Sequence, residues 1–78
     1  MPYITKEARQ EVIFRTPLTA GELNYLLTKL CHEYIDQGIE CYQSYNDVMG
    51  ALTNCQHELY RRYIVPFEDR AIERNGDV

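Results

Sequence analysis

Apolar residues recur on a helical period along most of the chain, and the longest clean run covers residues 44–65. On a projection of about 100° per residue, Val48, Leu52, Cys55, Leu59 and Tyr63 form one stripe, with Tyr45 and Ala51 at its margins. That stripe reads as a core seam. Met49, Tyr60 and Ile64 make a second apolar set, roughly 100° to 160° round from Val48. A surface helix with one neighbour needs a single stripe. Two stripes predict that this helix touches something on each face, either another segment of the chain or another copy of it.

The ends of the run are written in the sequence. Ser44 followed by Asp47 has capping-box spacing. Pro66 lacks an amide hydrogen and crowds the carbonyl of Arg62, so the helix is expected to stop or kink near Val65. Pro66 equally suits the start of a new helical segment over residues 66–75, with Glu68 and Asp69 in its first turn and Gly76 as its stop.

Upstream, residues 1–4 read as an extended lead, and Thr5 caps a short helix over residues 5–15. The end of that segment, residues 11–15, has strand character but no second strand to pair with. Thr16-Pro17 interrupts the chain. Thr19 and Glu22 repeat the capping-box spacing before an amphipathic run in which Leu23, Leu26, Leu27, Leu30 and Tyr34 share a stripe, ended by Gly38. A short connection between residues 38 and 44 favours antiparallel neighbours. The prediction is an all-α single domain over residues 1–78. It is an antiparallel helical hairpin, 19–38 against 44–65, carrying a short N-terminal helix and a proline-kinked C-terminal helix.

At 78 residues the chain sits near the lower limit for a self-sufficient core, so association would help it. Its 45% hydrophobic and 26% charged content is that of a globular chain. The net charge of −4, with no basic run longer than Arg61-Arg62, argues against nucleic acid, which needs a basic stripe to release counterions. Three cysteines, an odd number, and no apolar signal region point to a reduced, cytoplasmic setting. No segment reaches the roughly 18 apolar residues of a membrane span.

Metal and covalent chemistry find little support. Cys31, His32, Cys41, Cys55 and His57 are five potential ligands, but none are spaced like the paired ligands of a zinc knuckle. Cys31 and Cys55 read better as small buried apolar residues. A cysteine and a histidine one or two positions apart on a helix diverge by about 100° or 200°, and no third group orients the base. No cofactor, metal or catalytic constellation is expected.

The candidate binding residues lie elsewhere. Tyr60-Arg61-Arg62-Tyr63 offers two planar guanidiniums flanked by phenols, suited to phosphates, carboxylates or interface anchoring. The plainer reading is that Glu58, three and four residues earlier, can pair with either arginine. On the second helix, Tyr25, Thr28 and His32 share a face opposite the leucines for which the sequence assigns no partner, with Asn24 beside them. Tyr34, Tyr45 and Tyr63 are expected in the core with hydroxyls at its rim. The chain holds seven tyrosines, whose apolar bodies and polar tips suit interfaces.

Met1-Pro2-Tyr3-Ile4, Gly21-Glu22-Leu23-Asn24-Tyr25, Glu58-Leu59-Tyr60-Arg61-Arg62, Pro66-Phe67-Glu68-Asp69 and Asn75-Gly76-Asp77-Val78 together resemble a family of small proteins of bacteria and their phages, a domain family of unknown function. The resemblance spans nearly the whole chain. It departs from the family pattern in a shorter N-terminal helix and in Phe67, where tyrosine follows the proline. It implies a phage or prophage setting and no particular activity.

In that setting the expected function is a non-catalytic interaction module, homo-oligomeric, that binds a host protein and blocks a defence component. The alternative is an oligomer that sequesters a small nucleotide, with Arg61, Arg62 and neighbouring tyrosines holding its phosphates and bases.

Overall fold

A computed structural model describes residues 4–78, so the expected extended lead lies, apart from Ile4, outside the described residues. The described chain is all-α: α1 (Lys6–Val12), α2 (Ala20–Ile35), α3 (Tyr42–Leu59), a π-helical turn (Tyr60–Ile64) and α4 (Val65–Asn75). It forms two compact units, Met1–Ser44 and Tyr45–Val78. The antiparallel hairpin of residues 19–38 against 44–65 relates one unit to the other and stays an expectation.

In the first unit, Thr5 caps α1 by accepting the Ala8 N–H at 3.1 Å. The helix ends at Val12, short of the expected residue 15. Phe14 and Arg15 donate to the carbonyls of Glu11 and Val12, a tightening to i→i+3 bonds that closes the helix. Val12 is fully buried and anchors this unit, whereas Phe14 is 85% exposed. The apolar run at the end of the segment therefore divides, Val12 turned inward and Ile13 and Phe14 exposed.

The junction between α1 and α2 is held by charge. Thr19 accepts the Glu22 N–H at 3.1 Å, which is half of the expected capping box. The other half is replaced. The Glu22 carboxylate takes the Leu18 N–H at 2.9 Å and both terminal nitrogens of Arg15. Arg15 Nη1 also donates to the Thr16 carbonyl at 3.2 Å. Buried glutamates are rare unless paired, and this one, 8% exposed, is paired with a guanidinium fork.

The C-terminal end of α2 corrects the sequence reading. The helix stops at Ile35 with Asp36 as its cap, and the Asp36 N–H donates to the His32 carbonyl at 2.9 Å. Gly38 has no positive φ and is not the stop. Packing of α1 falls on the Tyr25 side of α2 and reaches only the edge of the leucine stripe, at Leu26. Tyr25 and Leu26 are half-buried, while Leu23, Leu27 and Leu30 are exposed. The expected core placement of Tyr34, Tyr45 and Tyr63 is also corrected: they are 46%, 37% and 68% exposed.

α3 begins at Tyr42, two residues before the expected cap, and from Tyr45 on it belongs to the second unit. Ser44 is inside the first turn, where its N–H donates to the Cys41 carbonyl and its hydroxyl lies 3.2 Å from Cys41 Sγ. Of the expected core stripe only Val48 is buried; Leu52, Cys55 and Leu59 are exposed. The reading of Cys55 as a buried residue is thereby corrected, and Cys31 is half-buried.

Pro66 acts one turn upstream of itself. An α-helical register would ask Pro66 for an amide it lacks and press its ring on the Arg62 carbonyl. The chain answers by widening: the Val65 N–H reaches back five residues to the Tyr60 carbonyl. Val65 and Pro66 then open α4, with Glu68 in its first turn. Gly76 ends α4 as expected, with φ +82° and its N–H on the Ile72 carbonyl at 2.7 Å.

Candidate functional site

The Tyr60–Tyr63 stretch lies entirely in the π-helical turn. Glu58, the last residue but one of α3, stands three and four residues before Arg61 and Arg62 and meets both. Arg61 Nη2 donates to Glu58 Oε2 at 2.6 Å, and Arg62 Nε donates to Oε1 at 2.5 Å. One carboxylate thus holds two guanidiniums side by side. Arg61 and then Arg62 keep the Glu58 carboxyl below its ordinary range. Both arginine side chains stay mostly in solvent, at 73% and 67% exposure.

Around this fork the surface is apolar. Tyr60 is 47% exposed, Tyr63 68%, Ile64 44% and, one side of α3 further back, Met49 63%. Within its unit the second apolar set of the sequence reading is therefore open. Chemically the segment offers a pair of planar cations, already neutralised in part by Glu58, set in a field of phenols and aliphatic side chains. This is the composition of interface anchors: large apolar bodies for burial and guanidiniums for directed hydrogen bonds.

The remaining candidate residues belong to α2. Asn24 and His32 are exposed. Tyr25 differs from expectation, because its face has an intrachain partner. The Arg9 guanidinium lies 5.6 Å from the centre of the Tyr25 ring, half-burying it. Arg9 Nε is shielded from solvent with no acceptor in reach among the described residues, so the ring's negative face is the compensation it receives. Tyr25 is thus committed to holding α1, and of the α2 candidates Asn24 and His32 are the open ones.

The Arg15–Glu22 clamp and the Arg9–Tyr25 stack had no separate signal in the sequence. Glu22 was visible as the partner of Thr19, but nothing in a helical projection links it to an arginine seven residues earlier across a turn. Lys29 and Glu33, by contrast, stand four apart and do pair. Among the described residues, no three His, Cys, Asp or Glu side chains come together as a metal-holding group. Among them, too, no helix is long and apolar enough to cross a membrane.

No curated protein and no solved structure matches the chain. A family model does, over its whole length. With residues 1–78 matched, the chain belongs to the family described as domain of unknown function DUF6899.

Proposed function

We propose that this chain is a non-catalytic interaction module that works by binding a host protein in the host cytoplasm, with blockage of a defence component as its concrete form in the phage or prophage setting its resemblance implies. The observation that carries the reading is the exposed row of Met49, Tyr60 and Ile64 beside Arg61 and Arg62. Large exposed apolar side chains beside arginine are characteristic of docking faces. The π turn adds to it, since such turns cluster at functional positions. Self-association belongs to the same reading, because so small a chain gains from it.

The test is affinity capture from host lysate with the wild-type chain and with Tyr60→Ala and Arg62→Ala. A partner retained by the wild type and lost by both variants supports the reading. A partner retained equally by all three would move the docking face elsewhere on the chain.

A second reading rests on the side-by-side guanidiniums: a small nucleotide whose phosphates displace Glu58 from Arg61 and Arg62. Thermal shift against cyclic and linear nucleotides separates the two. A nucleotide at a hundredfold excess over its dissociation constant stabilises by about 2.7 kcal/mol, and Arg62→Ala abolishes that gain.

A further inference from the structure

Asn75 and Gly76 stand at the end of α4 and take no part in the proposed function. Of the four asparagines in the chain, Asn24, Asn46 and Asn54 lie inside α2 and α3 and are followed by Tyr25, Asp47 and Cys55. Asn75 is the last residue of α4 and is followed by glycine. It is exposed, and its side-chain amide has no partner among the described residues. Gly76 takes φ +82°, and a Cβ built on it meets nothing within 4 Å, so the approach to its nitrogen is open.

We propose that this pair is a site of spontaneous deamidation, gated by the last turn of α4. The Gly76 nitrogen gives up its proton to water and attacks Cγ of the Asn75 side chain. The new N–C bond closes a five-membered succinimide, and the side-chain nitrogen leaves as ammonia. Water then opens the ring at either carbonyl, leaving at position 75 an aspartate or an isoaspartate, in which the backbone runs through the side-chain carbon. Water is the only co-reactant. Glycine favours the closure because it brings no side chain against the forming ring.

The fold holds the reaction back. The Gly76 N–H donates to the Ile72 carbonyl at 2.7 Å, which ties up the nucleophile. A helical residue also carries its side chain toward the helix N-terminus, away from the amide that follows it. Both restraints are lost together when the final turn frays, and helix ends are where opening takes the least free energy.

The product opposes reclosure. A carboxylate at position 75 adds a negative charge to a chain already at −4 and sets it beside the unpaired carbonyls at the negative end of α4. An isoaspartate lengthens the backbone there and breaks the helical register. Each conversion therefore loosens the turn without return.

The test follows intact mass, with isoaspartate read by enzymatic methyl labelling, on the full chain incubated for weeks at mildly alkaline pH, folded or in unfolding guanidinium chloride. The wild type is expected to gain the mass of one amide-to-acid exchange and to label as isoaspartate, several-fold faster unfolded than folded. Asn75→Gln should remove the gain. Gly76→Ala should slow it about tenfold in the unfolded chain, where a weakened helix cap has no bearing. Ile72→Gly, which loosens the turn without touching the reacting pair, should speed it in the folded chain and leave the unfolded rate unchanged. No gain in the unfolded wild type, a gain that persists in Asn75→Gln, or a gain without isoaspartate would overturn the site. Equal rates folded and unfolded would overturn the gating.

Discussion

Arg15 and Glu22 are joined at two points, with Arg15 Nη1 donating to Glu22 Oε1 at 2.7 Å and Nη2 to Oε2 at 2.9 Å. The pair closes the turn that carries the chain from α1 into α2. The Arg15 hydrogen bonds, then that from the Leu18 N–H, hold the Glu22 carboxyl below its ordinary value of 4.5. A group with a lowered folded pKa stabilises fully above its unfolded pKa and loses that contribution as pH falls through the folded one. Glu58 acts in the same direction. Lys29, raised by Glu33, acts on the opposite side, losing its contribution only as pH rises through its folded value. The thermal midpoint is thus expected to hold level through neutrality and to fall as pH drops below about 4.5. Glu22→Gln should lower the midpoint at pH 7 and flatten the acid limb. A limb as steep as wild type would show that Glu22 does not carry it.

Val12 is the one fully buried side chain among the described residues. Val12→Ala removes two buried carbons and leaves a cavity, at a cost of about 2 kcal/mol. In a unit with so little else inside, that loss should appear as early melting of α1 on α2. Hydrogen exchange of the α1 amides would measure it, and unchanged protection would disprove the anchoring role.

Gly50 lies inside α3, and a Cβ built there meets nothing within 4 Å. Gly50→Ala should stabilise the chain by about 0.5–1 kcal/mol by restricting the unfolded chain and favouring helix. Urea titration reads the change. A loss of stability instead would reveal a neighbour packed on that face in solution.

The wide turn at Tyr60–Ile64 is attributed to Pro66. Pro66→Ala restores the missing amide, and the Val65 N–H is then expected to move from the Tyr60 carbonyl to that of Arg61, the ordinary α register. Hydrogen-bond scalar couplings would detect the change. Persistence of the five-residue step would place its cause in the packing of the turn with α4.

Helical period determined most of what is local here. Four helices, the caps at Thr5 and Thr19, the stop at Gly76 and the irregularity before Pro66 all follow from side chains acting on backbone within a few residues. That Glu58 can pair with Arg61 or Arg62 was legible for the same reason, the arginines being three and four positions on, but not that it holds both at once. Tertiary structure alone decided which faces are covered. A projection shows that α2 has a leucine side and a tyrosine side, but not that α1 would choose the tyrosine side through Arg9, or that Arg15 would cross a turn to bury Glu22. It also placed the start of α3 two residues early and left Leu52, Leu59 and Tyr63 in solvent. The physical reason is that a stripe records the capacity of a helix to bury one side, whereas burial itself depends on which other surface arrives, and that is set by contacts distant in sequence.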